Sequence, residues 1–224
     1  LYGTPQRTVV FDTEDETAEK IVNSLTRYAE TLSTERGYMF QRYRVADVAH
    51  RVVGIGSVGL RAYLVMLFGN DDNDPLFLQV KEAVASSLEP YTLPLPLAFA
   101  HHGQRVVLGQ RILQATTDVL LGWTSIDHRP FYVRQMKNMK GSIPLDWLKG
   151  SAFLMYARGC GTLLARAHSR SGDIAKIAGY CGKSEALDEA IALWAEAYGD
   201  QTERDYEVLV KAIKDGKIAA EMEI

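Results

Sequence analysis

The sequence predicts an α+β fold: a five-stranded antiparallel sheet with one helix inserted after the third strand, followed by a wholly helical part. Three observations carry that prediction. Residues 45–81 alternate strand-like runs with turn chemistry: 45–53, the glycine turn Gly54-Ile55-Gly56-Ser57-Val58-Gly59, then 60–68, the turn 69–75, and 76–81. After a proline-punctuated loop at 89–96 and a helical stretch at 101–117, two further strand-like runs follow at 119–124 and 131–136. Beyond the polar stretch 137–142 the periodicity is helical throughout. The expected organisation is an N-terminal helical extension over 1–44, a sheet-based small lobe over 45–140 and a helical lobe over 141–224.

Taken in order, residues 1–13 read as extended, with Thr8-Val9-Val10-Phe11 a short strand or a tether. Over 14–32 the apolar residues Ala18, Ile21, Val22, Leu25, Tyr28, Ala29 and Leu32 recur at three and four, an amphipathic helix capped by Asp12 or Thr13 that packs on the sheet. Ser33 caps a short second helix through Tyr43. Strand alternation puts Phe77, Gln79 and Lys81 on one face of the third strand and Leu76, Leu78 and Val80 on the other. The helical part starts with one long helix over 145–170. Gly159 and Gly161 weaken it by about 1 kcal/mol each relative to Ala. Asp173 caps a short helix that Gly182 ends, and two more helices are expected, from Ser184 or Glu185 to Tyr198 and over 202–215 with Gly216 as the stop. Trp123, Trp147, Trp194, Cys160 and Cys181 are expected in the core.

Composition bounds the function. At 224 residues and 47% hydrophobic, the chain is long enough for a large core. Its 25 basic and 28 acidic residues give a net charge of -3, so no broad polycationic surface for nucleic acid or anionic membrane is expected. No apolar stretch approaches the roughly 20 residues of a membrane span, and no signal peptide is visible. Two cysteines without C-x-x-C spacing fit a reducing cytoplasm. Because the chain begins at Leu1 rather than Met, it is expected to be a processed product or a piece of a longer protein.

The chemistry concentrates at the glycine turn. G-x-G-x-x-G opens a helix in a dinucleotide-binding unit, whereas here a strand follows it and a later strand ends on Lys81. That is the pattern of a protein-kinase-like phosphate cradle, expected to bind ATP and Mg. Gly54, Gly56, Ser57 and Gly59 would let backbone N–H groups approach phosphate oxygens, and Lys81 would supply the point charge. The plain structural alternative is a tight hairpin with a lysine snorkelling from a strand edge.

The pattern also departs from an active kinase in several places. Arg61 stands where a kinase has an apolar residue over the adenine; it either reaches a phosphate or pairs with the acidic turn 71–74. The helix 101–117 carries no acid to hold Lys81, so Gln104, Gln110 or Gln114 would have to substitute, while Glu82 points to the other face. His168 and Asp173 fall where a catalytic loop would begin, but no Asn follows at the right distance and no Asp-Phe-Gly-like triplet comes after, so Asp173 reads first as a helix cap and second as a catalytic acid. His101-His102 has no third ligand at usable spacing and reads as a helix start.

Several runs together resemble the bacterial family known as domain of unknown function 2252. They are Val52-Val53-Gly54-Ile55-Gly56-Ser57-Val58-Gly59, Asp74 through Ala83 (DPLFLQVKEA), Gly103-Gln104-Arg105-Val106-Val107, Tyr132-Val133-Arg134-Gln135 and Ala165 through Asp173 (ARAHSRSGD). The resemblance covers about 44–216. It implies that an upstream segment of the same protein carries a Gly-Asp-x-His-x-x-Asn loop and an Asp-rich metal site like those of aminoglycoside phosphotransferases, circularly permuted relative to kinases. It also implies a Glu in the helix after the third strand, where this sequence has Leu108. The expected function is the nucleotide-binding part of a kinase-like phosphotransferase acting on a small-molecule acceptor, or else a catalytically inactive binding or scaffold domain of the same fold.

Overall fold

The computed structural model describes residues 9–52, 59–92, 99–136 and 143–219. Its contacts divide the chain into two units, Leu1–Ser171 and Gly172–Ile224.

The first unit is built on an antiparallel sheet of β1 (Val9–Asp12), β2 (Arg44–Val52), β3 (Ala62–Phe68), β4 (Pro75–Glu82), β5 (Gly122–Ile126) and β6 (Arg129–Gln135). The spatial order is β1-β2-β3-β4-β6-β5, one strand more than the five expected. The extra strand is the N-terminal run, which pairs with β2 from Val9 opposite Val52 to Asp12 opposite Ala49.

Helices α1 (Asp15–Glu30) and α2 (Thr34–Phe40) cover one face. The α1 residues Ile21, Leu25 and Tyr28 are buried against Val65, Leu78, Val80 and Val133, so the helical period of three to four meets the strand period of two. Neither Asp12 nor Thr13 caps α1; Glu14 occupies that position without a side-chain bond. The Tyr28 ring meets Phe40 edge-on at 5.1 Å and its buried hydroxyl donates to the Leu120 carbonyl. A Cβ on Gly122 would come within 2.7 Å of that ring, so the absence of a side chain there lets α1 approach β5. Thr124 Oγ1 donates to the Ser24 carbonyl at 2.8 Å, and the Trp123 N–H donates to Thr31 Oγ1 at 3.1 Å.

Helix α3 (His102–Leu113) packs on the other face, against β5 and β6. It is shorter than expected because Gln114 turns to ψ 141°, out of the helical region. The strand expected at 119–124 begins later, at Gly122, because Asp118 organises a turn: its Oδ1 accepts from Leu120 N at 2.9 Å and its carbonyl from Leu121 N at 3.1 Å. β5 and β6 then join through Asp127 and His128, both at positive φ (48° and 62°), in a tight hairpin with Ile126 opposite Arg129. Leu145–Trp147 forms a 3-10 turn, and α4 (Gly150–Ser171) starts after it, with Gly150 at φ 54°.

The second unit comprises α5 (Ile174–Cys181) and α6 (Ala186–Lys214). α5 is capped by Asp173 and ended by Gly182 at φ 68°, as the sequence suggests. Where two helices are expected, α6 runs unbroken through Gly199-Asp200. A mid-helix glycine costs about 1 kcal/mol, too little to interrupt a helix of this length, and just beyond it Gln201 bonds Asp205 at 2.7 Å four residues on. Trp147 and Trp194 are exposed, the latter stacked on Tyr198 at 5.1 Å. Cys160 and Cys181 are exposed as well. The core placement expected for these four residues is therefore corrected: they lie on helical elements outside the sheet core.

Candidate functional site

The β4 side chains split as alternation requires. Leu76, Leu78 and Val80 enter the α1 core, while Gln79 and Lys81 face the other way. Register then decides which residues share the Lys81 face. Lys81 is opposite Ala62 on β3 and Tyr132 on β6, and Tyr132 is opposite Trp123 on β5. His50 on β2 pairs with Tyr63, so one step further along Arg51 comes level with Ala62. A row of Arg51, Ala62, Lys81, Tyr132 and Trp123 results. Ala62, between the two long cations in this row, is small and buried. One row along, Gln79 is opposite Arg134.

Three cationic side chains from three strands thus gather on one sheet face: Arg51, Lys81 and Arg134. Burial pushes the Lys81 ammonium below its ordinary pKa, and the charges of Arg134 and Arg51 push it further in the same direction. Burial and Arg134 act likewise on Arg51. Each guanidinium is oriented. Arg134 donates from Nε (3.1 Å) and Nη2 (3.0 Å) to Gln79 Oε1, and the Gln79 side chain is itself buried. Arg51 Nη1 reaches Met136 Sδ at 3.6 Å. Burial raises the Tyr132 phenol, leaving a protonated donor beside Lys81. Gly59, the last glycine of the turn, has a φ of 82° that suits glycine, three residues before Ala62 in sequence. A cluster of this kind can hold a multiply charged anion.

Of the other residues singled out from sequence, Gly54, Gly56 and Ser57 lie outside the described residues. Arg61 is on the face opposite Lys81. Its Nη1 pairs with Glu82 Oε2 at 3.2 Å and its N–H donates to the same oxygen at 3.1 Å, while Arg129 Nη1 meets Glu82 Oε1 at 3.4 Å. The pairing expected between Arg61 and the acidic turn is therefore corrected. That turn takes Arg44 instead, through Asp72, because Arg44 begins β2 opposite Phe68. Burial pushes the Glu82 carboxyl up, but bonds from Arg61 and Arg129 outweigh it and hold the pKa below the ordinary value. His168 is exposed on α4. Asp173 Oδ1 accepts from Ala175 N (3.0 Å) and Lys176 N (3.2 Å), the work of a helix cap. α3 carries no acid over its length.

His101 caps α3. Its Nδ1 accepts from Gln104 N at 3.1 Å, which leaves the proton on Nε2, 3.0 Å from Ser125 Oγ. Burial lowers its pKa below 6.5. The unfolded chain therefore takes up the proton first. The capping contribution is complete above the unfolded pKa and is lost as pH falls through it toward the folded value. Denaturant midpoints should drop as pH falls through about 6.5, the ordinary histidine value, and His101→Asn, which can cap but cannot titrate, should flatten that part of the profile.

Arg51 and Arg134 were not among the sequence candidates. The available signal was a cation within a strand beside β-branched residues, Val52-Val53 in one case and Val133 in the other. It becomes a site only once the register shows that both share the phase of Lys81. A separate groove of about 670 Å³ between α1, α2 and β2 is lined by residues such as Val22, Leu25, Tyr38 and Phe40. No Lys, Arg or His lines it, so it lacks the chemistry of a phosphate site. Among the described residues no three His, Cys, Asp or Glu side chains come together as a metal ligand set.

A family model described as an uncharacterized protein conserved in bacteria (DUF2252) matches residues 3–212, and the chain belongs to that family. Neither curated proteins nor solved structures provide a match.

Proposed function

We propose that this family member is the nucleotide-binding part of a kinase-like phosphotransferase acting on a small molecule. The ATP phosphates lie against Lys81 and the backbone of the turn containing Gly54, Gly56, Ser57 and Gly59, and a further segment of the same protein supplies the catalytic groups. The observation that carries this reading is the gathering of Arg51, Lys81 and Arg134 on one sheet face. The element order from β2 onward supports it too: three strands, a helix, two strands, then helices, as in a kinase-like small lobe and the start of its large lobe, with β1, α1 and α2 added ahead of it. The same further segment would supply the magnesium ligands, one or two carboxylates that hold the ion against the phosphates.

A catalytically inactive binding or scaffold domain is the second reading, and one observation favours it. Active kinases present a carboxylate to the strand lysine. Here α3, the helix after the lysine strand and the element that supplies that carboxylate in a kinase, carries no acid over its length.

Calorimetric titration of the full-length protein with ATP is expected to give saturable binding, together with phosphotransfer that stops when magnesium is chelated. Binding without transfer to any acceptor would leave the scaffold reading. Absence of binding at about millimolar ATP, a free energy near 4 kcal/mol, would overturn the nucleotide reading and leave only a scaffold that binds no nucleotide.

A further inference from the structure

We propose that Arg51, Lys81 and Arg134 form one seat for a polyphosphate chain, in which the protein's own cations neutralise the phosphates and no divalent metal is needed for binding. The inference rests on the nucleotide reading above and deepens it by assigning two further ligands and the ionic form bound.

A site with a single lysine leaves most of the charge of a triphosphate to be compensated by a bound metal. This face brings three fixed positive charges from β2, β4 and β6, two of them guanidinium groups that keep their charge at any physiological pH. Arg134 is pre-organised. Two of its five N–H donors are taken up by Gln79 Oε1, which locks the plane of the fork and leaves the other three for an anion. Gln79 is buried and neutral, so it orients Arg134 without cancelling its charge, as a glutamate at that position would. Repulsion among the three cations in the ligand-free protein is relieved when an anion enters, and this favours ligands of high negative charge over singly phosphorylated ones.

The test uses calorimetry on the full-length protein with ATP, AMP and inorganic tripolyphosphate, each with magnesium and with EDTA. ATP in EDTA is expected to bind at least as tightly as ATP with magnesium, and AMP about a hundredfold more weakly than ATP. Tripolyphosphate separates the sources of the chain: affinity near that of ATP means that the seat reads the phosphates alone. Tripolyphosphate binding more weakly than AMP would overturn the proposal. Arg134→Gln should weaken ATP about tenfold and leave AMP unchanged. Arg134→Lys, which keeps the charge but loses the fork on Gln79, should fall between that variant and wild type, and it serves if Arg134→Gln does not fold. Loss of tenfold or more in wild-type ATP affinity on chelation overturns the proposal, as does an Arg134→Gln protein that titrates like wild type. If Lys81→Met weakens ATP while Arg134→Gln does not, the three-cation seat fails and the nucleotide reading stands. If neither variant matters, both fail.

Discussion

Lys81→Met is expected to weaken ATP binding ten- to a hundredfold while leaving the protein folded. A charge-assisted contact is worth about 1.5–3 kcal/mol, and each 1.4 kcal/mol is about a factor of ten in affinity. Methionine keeps the length and the apolar stem of lysine, so the packing of β4 between β3 and β6 is preserved and the change is mainly one of charge. The melting temperature without ligand, measured alongside the titration, separates loss of the ligand contact from loss of the fold. An unchanged dissociation constant in a folded Lys81→Met protein removes Lys81 from the phosphate site. A hundredfold loss with an unchanged melting temperature is the strongest outcome in its favour.

Gly103→Ala is expected to cost about 2–3 kcal/mol of stability, lowering the melting temperature by roughly 4–12 °C. A Cβ on Gly103 would stand 2.8 Å from the Phe131 carbonyl carbon, closer still to its oxygen, and 2.8 Å from His101 Cε1. The first obstacle is the backbone of β6, held on both sides by β4 and β5, so it cannot rotate away as a side chain would. α3 must instead lift off the sheet. That uncovers Val107, which is wholly buried, and stretches the contact from His101 to Ser125. Gly109, on the same helix, is the control. Nothing lies within 4 Å of a Cβ there, so Gly109→Ala should be neutral or should stabilise by up to about 1 kcal/mol through helix propensity. Equal melting temperatures for the two variants would show that α3 does not sit against β6 in solution.

Local features were legible because their causes are local. The α1 stripe from Ile21 to Tyr28, the two faces of β4, the Asp173 cap and the Gly182 stop depend on side-chain periodicity or on one backbone angle, and each is written in a few adjacent residues. The expected break in α6 failed for a related reason. A Gly-Asp pair lowers local helix propensity, but the length of the helix outweighs it.

What only the tertiary structure decided depends on register between strands far apart in sequence. Arg51 and Arg134 are ordinary charged residues in the sequence, and Arg61 looked as close to the phosphate site as either. Pairing through β3 and β6 puts Arg51 and Arg134 in phase with Lys81 and leaves Arg61 with Glu82 on the other face. A shift of one residue in either pairing would exchange those assignments, because successive strand side chains point to opposite faces. The sequence by itself determined that a lysine ends a strand beside a glycine turn. The sheet decided that this lysine shares its face with two arginines, since only the register of paired strands sets which charges become neighbours.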